Sequence, residues 1–250
     1  MDSAQIIRNA VLRVTALREL QAADPALAAR VQAVKTFQAR RFAGTYADLL
    51  AGGSFQAAAR FFLQELYCDK DFSERDAQFS RIAGALQAVF PEQVVETAVS
   101  LARLHVLTEE LDHQMAEQWG ASPEDVHSQP SQAKRYRSAW LLVGQRELRQ
   151  AQLVMVQAIG KELSRLTRMP GLRFMLRMMR KPANVAGLGS LQSFLEAGFD
   201  TFAQIAGGKE GARVFLSVVS ERETRLIDLL FDSDPVSCET HLDALLSLAY

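Results

Sequence analysis

The sequence predicts an all-α fold, a compact bundle of about nine helices, and three observations predict it. Apolar residues recur at three- and four-residue spacings along most of the chain. Prolines, glycines and capping residues punctuate that pattern at intervals suited to helices, as at Ala23-Asp24-Pro25 and Gly52-Gly53. No stretch of any length alternates apolar and polar residues as a half-buried strand does. The bundle reads as one domain over residues 1–250, open to division into two related halves, 1–120 and 132–250, joined by a linker at 121–131.

The first helix is expected over 3–21, where Ile6, Ile7, Val11, Val14 and Leu17 form an apolar face. Asp24 caps the second and Pro25 opens its first turn, where a missing N–H costs nothing; it runs to about Ala51. Ser54 is then expected to cap the aromatic helix FQAAARFFLQELY, whose rings belong to a core. Ser73-Glu74-Arg75-Asp76 resembles a capping box for a helix over 74–90.

The clearest long helix runs from Pro91 to Trp119 and stops at Gly120. Val94, Leu101, Leu104, Leu111, Met115 and Trp119 give it an apolar stripe. At about 100° per residue His105, Thr108 and Asp112 fall within that stripe, with Glu109 on its flank and His113 pointing away. The two prolines and three serines of ASPEDVHSQPS make 121–131 the linker. A helical pattern follows from Gln132 to about Thr167, with Gly144 and Gly160 as sites for a bend or a close helix crossing. LRFMLRMMRK is short and two-faced, and Lys181-Pro182 opens a loop through AGLGS. Helices over 190–206, 210–232 and 237–248 complete the chain.

Apolar content of 48% and charged content of 23% suit a globular protein and argue against disorder. The net charge of −1 gives no global electrostatic case for nucleic acid. Its distribution is uneven: +4 over 1–60, −9 over 61–129, +10 over 130–181 and −6 over 182–250. Either these blocks pair within the fold, or residues 130–181 face an acidic partner, a lipid or a nucleic acid. Cys68 and Cys238 form no ligand spacing, the N-terminus has no signal-peptide core, and no window approaches the roughly 18 apolar residues of a spanning helix. A cytoplasmic protein with reduced thiols is expected.

Two blocks, RFFLQELYCDKDFSERDAQFSRI (Arg60–Ile82) and LTRMPGLRFMLRMMRKPANVAGLGSLQSFLEAGFDTF (Leu166–Phe202), are distinctive. On them the chain resembles an uncharacterised bacterial, proteobacterial, family of all-helical proteins with no assigned activity. The resemblance covers most of the chain and implies an all-helical fold. It carries over no catalytic residue, ligand or partner.

Chemistry is offered at two places. His105, Glu109 and Asp112, with Glu223 inside the apolar stripe of the last long helix, are the residue types from which helical bundles build metal sites. For haem, His105 is the inward axial candidate. Against a di-iron site, paired Glu-x-x-His motifs are lacking, and a buried hydrogen-bond or salt-bridge network explains the same residues. The second place is the basic segment. Arg173, Arg177, Arg180 and Lys181 beside a Met- and Phe-rich face suit a protein partner, self-association, or an acidic or anionic membrane surface. Ser190, after Gly187 and Gly189, marks a helix start where an anion could sit, with a plain N-cap as the alternative. No GxSxG, GxxxxGK[ST] or helix-turn-helix signature occurs. The sequence therefore favours a non-enzymatic protein that acts by binding or assembly, against a metal- or haem-type cofactor protein.

Overall fold

Thirteen α-helices and no strand make up the described residues of the computed structural model, which are 2–66, 70–120, 131–208 and 211–249. The helices are α1 (Ser3–Ala23), α2 (Pro25–Thr45), α3 (Ala47–Ala51), α4 (Gln56–Glu65), α5 (Ser73–Val89), α6 (Glu92–Gln118) and α7 (Gln132–Val143). They continue with α8 (Arg146–Leu166), α9 (Leu172–Met178), α10 (Arg180–Val185), α11 (Gly189–Gly207), α12 (Gly211–Asp232) and α13 (Pro235–Leu248). The all-α expectation holds. The count exceeds nine because three expected helices break. One breaks at Tyr46, between α2 and α3. A second breaks at Gly144-Gln145, where both residues are left-handed, at φ 64° and 59°. The third breaks at Met179, because Pro182 has no N–H for the Met178 carbonyl four residues back.

The cap of α2 falls where the sequence places it: Asp24 accepts from Ala26 N–H, with Pro25 in the first turn. Asp234 does the same for α13, accepting from Ser237 N–H, and starts that helix two residues before the expected 237. Other expected caps do not form. Phe55, not Ser54, stands at the N-cap of α4, and Phe72 at that of α5, neither with a side-chain cap. The Ser73 N–H and hydroxyl both bond the Asp71 carboxylate instead. Pro182 does not open a loop, because proline is compatible with the first turn of α10. The linker expected at 121–131 lies outside the described residues except for Ser131, whose side chain caps α7. Cys68 also lies outside them.

The chain divides into two compact units, each drawn from three segments. The first comprises Met1–Ala16, Lys70–Val106 and Val154–Ser217. Its core sets Ala4 and Ile7 of α1 against Ala83 and Leu86 of α5 and Ala98, Val99 and Ala102 of α6. A further cluster joins Leu166, Leu172, Leu176 and Phe199. Gly160 of α8 is a close crossing, since a Cβ there would lie 2.5 Å from Leu216 Cδ2.

The second unit comprises Leu17–Asp69, Leu107–Leu153 and Val218–Tyr250. Leu27, Val31, Val34 and Phe37 of α2 pack with Tyr136 and Trp140 of α7 and with Leu230, Cys238, Leu242 and Leu246 near the C-terminus. Phe37 and Tyr136 stack with ring centroids 4.2 Å apart. α13 lies along α2 closely enough that a Cβ on Gly44 would meet the Leu245 carbonyl oxygen at 1.9 Å.

The alternating charge blocks pair. Lys35–Glu109, Arg41–Glu223, Arg146–Asp228, Arg173–Asp200 and Arg180–Glu196 each join a basic block to an acidic one. Among the described residues, no helix is long and apolar enough to cross a membrane.

Candidate functional site

α6 carries the polar residues singled out in the sequence, and each meets a partner from another helix. In the first unit His105 Nε2 lies 2.9 Å from Asp76 Oδ2, and Asp76 is buried. The carboxylate expected to complete a capping box is thus the histidine's partner. His105→Ala is expected to destabilise the protein by about 1–3 kcal/mol, because the buried Asp76 carboxylate loses a hydrogen bond without regaining water. Urea denaturation of the single variant and of His105→Ala/Asp76→Ala checks this; the double variant should cost less than the sum.

The rest of the set lies in the second unit. Lys35 Nζ donates to both Glu109 oxygens, at 2.8 and 2.9 Å. Gln38 Nε2 donates to Asp112 Oδ1 at 2.9 Å. Thr108 Oγ1 accepts from Gln152 Nε2 at 2.7 Å. Arg41 Nη1 donates to both oxygens of Glu223, at 2.7 and 3.0 Å, and Tyr46 Oη adds a bond of 2.9 Å to Oε1. Arg149 is buried with its guanidinium carbon 4.1 Å from the Trp140 ring centroid. Burial pushes the Asp112 carboxyl above its usual range, with Glu109 adding to the rise and Lys35 and Arg149 opposing it. Burial likewise raises the Tyr136 hydroxyl, which feels Arg149, Arg41, Asp112 and Glu223 together.

The proposed ligand set does not converge. Among the described residues no group of three or more His, Cys, Asp or Glu side chains is placed to hold a metal ion. His105 Nε2, one of the atoms that would reach a metal or haem iron, is engaged by Asp76, and both Glu109 oxygens are taken by Lys35. The residues that sequence reasoning missed are Lys35, Gln38 and Arg41 on α2, and Arg149. For two of them a signal was present: Lys35 and Arg41 interrupt the apolar run Val31, Val34, Phe37, Phe42. His113, expected to point outward, is mostly covered, its side chain 12% exposed.

In the first unit the basic segment lies at the surface. Arg173, Phe174, Arg177, Met178, Arg180, Lys181 and Val185 are all exposed, while Leu172, Leu176 and Ala183 face the core. Arg173 pairs with Asp200 at 2.8 Å. Arg180 holds Glu196, with Nε 3.0 Å from Oε1 and Nη2 on the other oxygen. Ser190 is exposed in the first turn of α11 and does not cap it; Leu188 occupies the N-cap. The Leu191 N–H there is taken by Gln78 Oε1 at 2.8 Å, so the helix start has an internal acceptor.

The Arg180 guanidinium holds the Glu196 carboxyl down to about 2; partial burial opposes it and the Gln192 amide assists. A depressed folded-state value contributes stability that is present above the ordinary 4.5 and lost as pH falls from there toward 2. Glu196→Gln is expected to flatten that limb of the acid-unfolding curve, with stability lowered above pH 5 and converging on the wild type's near pH 2, as thermal melts from pH 2 to 7 would show.

No curated protein and no solved structure matches the chain. A family model does match, over residues 17–237, most of the chain. The chain belongs to the family described as Domain of unknown function (DUF8198).

Proposed function

We propose that the protein acts by binding rather than catalysis, as a cytoplasmic helical module, and that α9 and α10 dock an acidic helix of a protein partner. The observation that carries this reading is an apolar lane left uncovered: Phe174 is 69%, Met178 61% and Val185 92% exposed. At helical spacing these residues share one face, and Arg173, Arg177 and Lys181 run in the neighbouring lane. Met179 keeps right-handed helical dihedrals, so the break between α9 and α10 does not divert either lane. Fourteen residues at 1.5 Å rise give a ridge of roughly 20 Å, the length of a four-turn partner helix. Asp200 and Glu196 neutralise Arg173 and Arg180, which leaves the positive charge on Arg177 and Lys181. A mixed-sign surface of this kind suits carboxylates at defined positions better than a uniformly anionic bilayer, which would repel Asp200 and Glu196.

A photo-crosslinking side chain placed at position 178, in protein expressed in its native cells, tests the reading. The expected product is an adduct to an acidic helix of one protein, lost in Arg177→Glu/Lys181→Glu and regained when partner carboxylates are changed to lysine. Equal crosslinking from the exposed control position 154 would sink the idea. Flotation with phosphatidylglycerol vesicles in place of an adduct would replace it with a membrane contact.

A further inference from the structure

The buried polar cluster of the second unit is unevenly matched. Three cations, Lys35, Arg41 and Arg149, stand among three carboxyls, Glu109, Asp112 and Glu223. Lys35 takes both oxygens of Glu109, and Arg41 takes both oxygens of Glu223. Asp112 receives the Gln38 amide, and its carboxyl is pushed toward the neutral acid. Among the described residues Arg149 receives no carboxylate. Its residue exposure is 5%, yet Nε and Nη2 are buried without a hydrogen-bond acceptor among the described residues.

Which two donors are left over matters. Nε and Nη2 lie along one edge of the guanidinium and point their N–H bonds in parallel, the fork that accepts both oxygens of a carboxylate or phosphate. The flat face is already used, stacked on Trp140. Burial draws the Arg149 guanidinium below its usual range; Tyr136 and Asp112 pull back, and the Arg41 charge adds to the strain. Water could satisfy the donors, but it brings no charge to offset a buried cation.

We propose that Arg149 is the anchor of a small-oxyanion site, its Nε–Nη2 edge receiving the carboxylate or phosphate group of a small-molecule ligand. The ligand completes the charge pairing of the cluster in the way Glu109 and Glu223 do for the other two cations. The site is separate from the α9–α10 surface and stands or falls independently of it.

Calorimetric titration with sodium phosphate, sodium sulfate and sodium acetate at constant ionic strength, with chloride as baseline, tests this on the full chain. One saturable site is expected for at least one of the three. Arg149→Lys, which keeps the charge but not the parallel edge, should weaken it at least tenfold, and Arg149→Met should abolish it. Arg165→Met, at an exposed arginine, should leave it unchanged. Absence of saturable binding in the wild type, or binding unchanged in Arg149→Met, overturns the assignment. Where the Arg149 variants fail to fold, the wild-type Arg149 Nε–H resonance decides. A saturable shift with the anion upholds the site, and an unmoved resonance rejects it.

Discussion

Glu223→Ala is expected to destabilise the protein by about 3–5 kcal/mol, among the largest effects of any single polar substitution in the second unit. Arg41 is 5% exposed and places Nη1 within bonding distance of both Glu223 oxygens. Removing the carboxylate leaves a buried cation, and it also strips an acceptor from the Tyr46 hydroxyl in a residue 1% exposed. The companion experiment separates the net contribution of the pair from the penalty of breaking it. Arg41→Met/Glu223→Leu replaces both charges with apolar groups of similar bulk, and such replacements are often neutral or stabilising by about 1–4 kcal/mol. Urea denaturation midpoints should therefore fall sharply for Glu223→Ala and recover in the double variant. A double variant as unstable as the single one would show that the ion pair itself holds the helices in place.

The second large effect concerns backbone approach. Gly44→Ala is expected to cost about 3 kcal/mol, although alanine is the better helix former by roughly 1 kcal/mol. The added Cβ would stand 1.9 Å from the Leu245 carbonyl oxygen and 2.7 Å from its carbon, and neither can rotate away. α13 must then move off α2. Gly160→Ala provides the contrast, since its nearest obstacle is the end of the Leu216 side chain at 2.5 Å, which can change rotamer. Gly84→Ala has only the Arg8 guanidinium at 3.2 Å and should be neutral or stabilising. For a chain of this size a loss of 3 kcal/mol should lower the melting temperature by roughly 6–12 °C. A melting temperature in Gly44→Ala equal to the wild type's would mean that α13 does not lie on α2 as described.

Local chemistry explains what the sequence revealed and what it hid. Asp24-Pro25 and Gly120 act within two residues of themselves, through a carboxylate cap, a fixed φ and a positive φ, so the start of α2 and the end of α6 were legible. Ser54 and Ser73 met the same rule and failed, because Asp71 captured Ser73, while Phe55 at its own N-cap is buried at 8% exposure. Glu223 was visible as a carboxylate inside an apolar stripe, but its partner lies 182 residues away and no periodicity connects the two. The same holds for His105, whose partner was assigned to a cap 29 residues earlier. Arg149 was invisible for a further reason. An arginine in the first turn of an amphipathic helix reads as a solvated residue, and only the Trp140 ring beside it shows that this one is buried.

The long separation between Arg41 and Glu223 also bears on how the protein is made. The ribosome adds roughly 5–20 residues per second, so roughly 10–40 s separate the synthesis of the two partners. Throughout that interval the Glu223 carboxylate that pairs with Arg41 is absent, and the face of α2 that receives α13 stays uncovered. The second unit, built from Leu17–Asp69, Leu107–Leu153 and Val218–Tyr250, therefore completes its core only once the last of these segments has been made. Its apolar α2 face is the surface that a chaperone would meet on the nascent chain.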